Sequence, residues 1–155
     1  MTVETESLSE ILDRGTIVTG LKVETKEEVF TKLATLLQER GYIESVDAFV
    51  AAIHEREGQG PTGIGGHVAI PHGRSSTVKR NAIAIAVLDH EIPWESLDDT
   101  GAKVVALFAV GADDEGSQKH LQLLSLFARK LAKDEVTQAL LRAQSVDDVV
   151  AALSK

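Results

Sequence analysis

Two stretches decide the fold: Ala82-Ile-Ala-Ile-Ala-Val-Leu88 and Val104-Val-Ala-Leu-Phe-Ala-Val110. Each is apolar throughout and bounded by polar or turn residues, Asn81 and Asp89 for the first, Lys103 and Gly111 for the second. A strand with one wet face alternates apolar and polar residues. A continuous apolar run of strand length belongs instead to a sheet covered on both faces.

The covering layers are legible on either side of these strands. Thr25 opens a helix, with Glu28 three residues later as the reciprocal cap. Val29, Leu33, Leu36 and Leu37 form its inner stripe, and Gly41 ends it. Asp47 to Glu57 reads as a second amphipathic helix facing inward through Phe49, Val50 and Ile53. A long helix runs from a Ser117 cap to Lys133 on Leu121, Leu124, Phe127 and Leu131, and two short helices follow, Glu135 to Ala143 and Val146 to Leu153. Ser7 to Asp13 is expected as a short helix and Ile17 to Val23 as a strand, while Gly58 to Gly66 is expected as an irregular glycine-rich loop. Val68 to Ile70 is a short strand that Pro71 closes. The expected fold is a single α/β domain over residues 1–155, a mixed β-sheet sandwiched between helices.

Composition narrows the function. The chain has 155 residues, 43% of them hydrophobic and 26% charged, as a globular domain has. No apolar run approaches the ~20 residues of a spanning helix, and the acidic, polar start from Met1 to Ser9 is not expected to be a secretory leader. A cytoplasmic protein with no direct membrane insertion is expected. There are no cysteines, so disulfides, thiolate metal sites and a cysteine nucleophile are excluded. The net charge of −8 argues against nucleic acid as a partner and permits steering toward a basic protein.

Most candidate motifs fail on context. Gly58-x-Gly60-x-x-Gly63 has the dinucleotide-binding spacing, but a helical segment precedes it and no helix follows. His54-Glu55 begins a zinc-protease pattern whose second histidine would fall at Gly58. The histidines at 54, 67, 72, 90 and 120 show no helical pairing for a metal. His54 and His90 read as solvated side chains.

What remains is Thr62-Gly-Ile-Gly-Gly-His-Val-Ala-Ile-Pro-His-Gly-Arg74. Pro71 stiffens the backbone before His72 and Gly73 leaves room after it. An imidazole held there is a nucleophile near neutral pH, its unperturbed pKa being about 6.5. The residues alone leave two readings of His72, a nucleophile presented at a strand end or a turn histidine without chemistry.

Glu57, Ile64, Gly65, Val68, Ala69, Ile70, Pro71, His72 and Gly73 together match a longer pattern. It consists of an acidic or amide residue, six spacers, an aliphatic, a small residue, two spacers, then aliphatic-Ala-aliphatic-Pro-His-small. This pattern resembles the active-site signature of the fructose/mannitol-type IIA domains of the bacterial sugar phosphotransferase system, a family that includes the nitrogen-type IIA proteins. The resemblance extends to Thr25-Lys-Glu-Glu28, Arg56-Glu57, Ile92-Pro-Trp-Glu-Ser-Leu-Asp98, His120-Leu-Gln-Leu-Leu-Ser-Leu126 and Leu140-Leu-Arg-Ala-Gln-Ser145.

The resemblance implies that His72 carries a phosphoryl group, with His120 and Arg56 stabilising it, and that no metal or cofactor takes part. The implied donor is the phosphocarrier HPr and the implied acceptor a IIB domain, as a free-standing phosphotransferase component in sugar uptake, fructose-type. The rival within the family is a nitrogen-type regulator that acts on partner proteins according to its phosphorylation state. The chemistry of the residue types fits these roles. With Ser117 as N-cap, His120 would lie in a first helical turn, where the macrodipole disfavours the imidazolium and attracts anions. Arg56 offers a planar, permanently charged fork. The alternatives are a structural role for His120 and an ion pair with Glu55 or Glu57 for Arg56. His67, where many relatives carry an Asn-Gly-like pair and this chain has Gly66-His67, is either a second group near the site or loop decoration.

Overall fold

The computed structural model describes residues 12–112, 122 and 125–153. Among the described residues six strands, β1 (Leu12–Leu21), β2 (Gly63–Gly65), β3 (Val68–Ala69), β4 (His72–Ser75), β5 (Ala82–Ile92) and β6 (Ala102–Gly111), form one mixed sheet, five in the order β1-β5-β6-β3-β2 and β4 beside β6. β1 and β5 are parallel, β5 and β6 antiparallel, and β3 and β4 both run parallel to β6.

The two apolar runs lie at the centre of the sheet, and their side chains alternate between two cores. Ala82, Ala84, Ala86 and Leu88 of β5, with Val105, Leu107 and Ala109 of β6, face the first two helices, α1 (Lys26–Glu39) and α2 (Val46–Glu57). Ile83, Ile85, Val87, Val104, Ala106 and Phe108 face the other side. There they meet Phe127 and Leu131 from helical residues 125–131 (α3), Val136 and Leu140 from α4 (Asp134–Leu141), and Val149 and Leu153 from α5 (Val146–Leu153). The sheet is therefore covered on both faces, as continuous apolarity requires.

Half of the α1 cap forms as its spacing predicts, Thr25 Oγ1 accepting from the Glu28 amide at 3.2 Å. The Glu28 carboxylate returns not to the Thr25 amide but to the Glu24 amide (3.1 Å), one residue earlier, and to the Thr25 hydroxyl (3.2 Å). Three expectations need correction. Leu12 and Asp13 belong to β1, not to a helix. Their register slips against β5 before Ile17, and the Asp13 carboxylate at this irregularity accepts from the Gly15 amide (2.7 Å), Tyr42 Oη (2.8 Å) and Arg40 Nε (3.0 Å). Contacts from a distant helix end thus override local helical preference.

Second, Gly63–Gly65 is not irregular loop. It pairs antiparallel with β3 through a tight turn in which Gly66 and His67 both have positive φ, 65° and 69°. A two-residue hairpin turn of this hand demands that conformation at both central positions. The Asp98 carboxylate braces the turn by accepting from the Gly66 amide at 3.0 Å.

Third, His72 does not merely follow a strand end; it begins β4. The register is unbroken across Pro71, with Val68↔Val104, Ala69↔Val105, His72↔Phe108 and Gly73↔Ala109. β3 and β4 are one line of chain interrupted at the proline.

The layer above β4 is α2, and Gly73 sets how close it comes. A Cβ at position 73 would lie 3.0 Å from Phe49 Cε1, 3.1 Å from Ile53 Cγ1 and 3.2 Å from the Ile53 amide nitrogen. The helix backbone itself is among these atoms, so α2 must move if the glycine acquires a side chain. Gly73→Ala is expected to cost about 1–3 kcal/mol by overpacking, read as a drop in Tm of about 2–4 °C per kcal/mol for a domain of this size.

Candidate active site

The close packing of α2 on β4 brings Arg56, in the last turn of the helix, onto the first residue of the strand. Arg56 Nε–H donates to His72 Nε2 at 3.1 Å, and Arg56 Nη1–H donates to the Gly60 carbonyl at 3.2 Å. The His72 ring is half-buried, and its Nδ1–H donates to the Ile70 carbonyl at 3.4 Å. With one ring nitrogen facing a carbonyl and the other an N–H donor, the proton belongs on Nδ1 and the free lone pair on Nε2.

The electrostatics favour the same neutral form. Burial pushes the His72 pKa below 6.5, and the neighbouring Arg56 charge pushes the same way. The Ile70 carbonyl and Glu57 pull against them without reversing the direction. At pH 7 the ring is therefore a neutral base with its lone pair directed at a guanidinium.

Glu57 is engaged away from Arg56. Its Oε1 pairs with Lys26 Nζ at 2.5 Å, and its Oε2 accepts from Thr62 Oγ1 at 2.6 Å. Thr62 Oγ1 accepts in turn from the Trp94 indole N–H at 2.9 Å, and both residues are buried. The parts of Thr62, Trp94 and Lys26 here are not legible in the sequence, although Lys26 and Trp94 lie inside segments quoted for the resemblance; only the place of Glu57 in the signature, an acidic or amide position, hinted at them. The ion pair with Glu55 or Glu57 offered as the alternative role for Arg56 is not what the guanidinium makes.

His67, His54 and His90 lie elsewhere. His67 Nδ1 contacts the Glu91 carboxylate near the far end of β5, at the Val104 end of β6, whereas His72 pairs with Phe108. Its site is the hairpin turn. His54 Nε2 contacts Glu27 at 2.6 Å, and His90 contacts Asp89 and Glu24. His120, with its expected Ser117 cap, lies outside the described residues.

The site is thus a neutral, half-buried imidazole aimed at an arginine, at the strand start that the longer signature contains. The sequence description of the phosphoenolpyruvate-dependent sugar phosphotransferase system, EIIA 2, matches residues 10–155. The chain belongs to this EIIA family. It is 35% identical over 130 residues to the fructose-specific EIIA component of Haloferax volcanii, covering 82% of this chain and 83% of that one. Among solved structures it is similar to the nitrogen regulatory protein IIA-Ntr of Neisseria meningitidis, with TM-score 0.86, 28% identity and 95% and 99% of the two chains covered. It is also similar to the mannitol IIA domain of Escherichia coli solved in complex with phosphorylated IIB, with TM-score 0.75, 25% identity and 90% and 94% covered. The chain spans about a fifth (22%) of the length of two EIIABC relatives, from Escherichia coli and Bacillus subtilis. No helix among the described residues of this EIIA domain is long and apolar enough to cross a membrane.

The depressed His72 pKa has a measurable sign. In a proton NMR titration the His72 imidazole should have its midpoint below 6.5, staying neutral at pH values where a free histidine is already half charged. Arg56→Gln removes one of the two depressing influences and should move the midpoint up toward 6.5.

Proposed function

We propose that this EIIA domain is a phosphocarrier whose His72 Nε2 accepts a phosphoryl group from the phosphohistidine of HPr and passes it to a IIB domain. The observation that carries the proposal is the Arg56 Nε–His72 Nε2 contact, which directs the lone pair of a neutral ring at a cation placed to meet an arriving phosphate. The Nε2 lone pair forms the new N–P bond as the donor's P–N bond breaks. The donor ring, protonated on its other nitrogen, keeps the electron pair of the broken bond and leaves as a neutral imidazole. The Nδ1–H remains on the Ile70 carbonyl, which stabilises the positive charge growing on the ring.

Little covalent chemistry is asked of the protein in such a transfer, so positioning and charge stabilisation do most of the catalysis. Arg56 Nε is released from Nε2 as the phosphorus arrives, and the guanidinium then meets the phosphoryl oxygens as a fork. His120, as a neutral hydrogen-bond donor, is proposed as the second stabilising group. A IIB acceptor is supported by the mannitol IIA relative, which was solved with phosphorylated IIB, and fructose-type uptake by the fructose-specific EIIA relative.

A second reading is favoured by a specific likeness. The nitrogen regulatory IIA structure superposes at TM-score 0.86, so a regulatory partner switched by phosphorylation at the same histidine stands as the alternative. Capture on the unphosphorylated domain separates the two: a IIB domain supports transport, a kinase or ion transporter supports regulation.

Incubation with phosphoenolpyruvate, enzyme I and HPr, followed by intact-mass measurement, should add one acid-labile, base-stable phosphoryl group. His72→Gln should abolish it; a variant still phosphorylated would move the acceptor to another histidine. His120→Ala should still be phosphorylated but on the order of 10²–10³-fold more slowly, the usual loss for one charge-stabilising donor. An unchanged rate would remove His120 from the site.

A further inference from the structure

Glu57 sits one residue from Arg56, and its carboxylate is 10% exposed. A carboxylate taken out of water beside a site for an arriving phosphate is doubly unfavourable: it pays desolvation, and it repels the incoming group. Three residues from separate parts of the chain meet this difficulty. Lys26, from the first turn of α1, pairs with Glu57 Oε1 at 2.5 Å and with Glu95 at 2.8 Å, and its ammonium lies 5.1 Å from the centre of the Trp94 ring. Thr62 donates to Glu57 Oε2 and accepts from Trp94, closing a ring of contacts Lys26–Glu57–Thr62–Trp94. Burial opposes the Lys26 charge, yet its two carboxylates hold its pKa above the ordinary lysine value, so it stays protonated.

The loop from Gly58 to Thr62 is tied at both ends by this ring, through Glu57 before it and Thr62 after it. The middle of that loop supplies the Gly60 carbonyl that accepts from Arg56 Nη1. Thr62 also binds β3 through its carbonyl, which accepts from the Ile70 amide at 2.8 Å. Ile70 in turn holds His72 Nδ1. Both hydrogen bonds on the His72 ring therefore trace back to the same few residues.

We propose that Lys26 is a positioning residue for His72: by pairing the buried Glu57 carboxylate it keeps the Gly58–Thr62 loop packed, and the loop keeps Arg56 on Nε2. The assignment builds on the phosphocarrier reading for its purpose but not for its test. Without Lys26 the unpaired carboxylate draws in water, the loop opens, and Gly60 lets go of the guanidinium. Without Glu57 there is no carboxylate to compensate, and Lys26 has nothing to hold there. The effect of losing Lys26 thus depends on Glu57 being present, unlike the simple additive field of a nearby charge.

The test is a cycle of full-length variants, read by the NMR titration midpoint of His72, the group faced by Arg56 and Glu57 from α2. Lys26→Met keeps the aliphatic stem and should raise the midpoint by about 0.5 pH unit or more, as Arg56 withdraws and Glu57 stands uncompensated. Lys26→Arg should restore the wild-type midpoint. Glu57→Gln should lower it, and adding Lys26→Met to Glu57→Gln should change it little. A wild-type midpoint in Lys26→Met overturns the proposal, as does an equal rise in the Glu57→Gln background, which would make Lys26 a mere distant charge. Should Lys26→Met not fold, Lys26→Gln and Lys26→Arg carry the same comparison. Phosphoryl acceptance from HPr, measured in parallel, should slow on the order of 10-fold in Lys26→Met and recover in Lys26→Arg. If the wild type accepts no phosphoryl group, the phosphocarrier reading fails while the titration cycle still decides the role of Lys26.

Discussion

The site depends on how closely α2 lies against β4. At Gly73 the helix backbone is so near the strand that an added Cβ would stand 3.2 Å from the Ile53 amide nitrogen, tighter than ordinary contact, and one turn further along the helix Arg56 reaches the His72 ring at 3.1 Å. The distance between helix and strand and the hydrogen bond between side chains are the same fact at two scales. The rest of the α1–α2 layer serves it. Phe49 and Ile53, both fully buried, fill the space between helix and sheet, while Phe30 of α1 packs edge-on against Trp94 beside the Lys26–Glu57 ring. Dense packing of this kind transmits small displacements instead of absorbing them, so reaction geometry and core geometry are not independent here.

The placement of Arg56 carries an electrostatic tension. It stands in the last turn of α2, where the carbonyl end of the helix favours a cation and disfavours an anion. The helix therefore holds the guanidinium well but offers nothing to a phosphate by itself. Any anion accommodated at His72 must be held by side chains that outweigh the helix end, and Glu57 next door makes that balance harder. Pairing Glu57 with Lys26 removes this competitor at a small cost, since Lys26 also satisfies Glu95 and packs over Trp94.

The layers of the fold were legible because they follow from periodicity. The two apolar runs had to be interior strands, and the stripes on 29–37 and 49–53 had to be helices facing them. The misread segments share a different physics. Leu12 and Asp13 are strand because Tyr42 and Arg40 grip Asp13 from a helix end far along the chain, and no local pattern encodes that grip. Gly63–Gly65 pairs as a strand although glycine is a poor strand former, because the Gly66-His67 turn and the Asp98 carboxylate fold it back onto β3. That carboxylate is held at a pKa of about 2 by Thr100, through its hydroxyl and then its amide, and by the Gly66 amide. Within the site, residue identity was readable and partnership was not. His72 and Arg56 could be named from their segments, but whether Arg56 would face Glu57 or His72 depended on Lys26, thirty residues earlier.

Pro71 gives the ring its chemical identity. In an uninterrupted strand, the carbonyl of Ile70 would serve the neighbour on the β2 side, as the Ile70 amide still does by donating to Thr62. β2 ends at Gly65 and β3 at Ala69, and the line of chain resumes as β4 only after the proline, with the Pro71 carbonyl returning to the ladder by accepting from Phe108 at 3.0 Å. The break leaves the Ile70 carbonyl turned to the His72 side chain two residues on, where it takes the Nδ1 proton. A backbone carbonyl accepts and never donates, so it fixes the tautomer independently of pH as long as the ring is neutral. With Nδ1 committed in this way, the lone pair of Nε2 has a single direction, toward Arg56. A two-residue interruption, Ile70 and Pro71, in an otherwise continuous register thus converts a generic histidine into a base whose free lone pair has a defined direction.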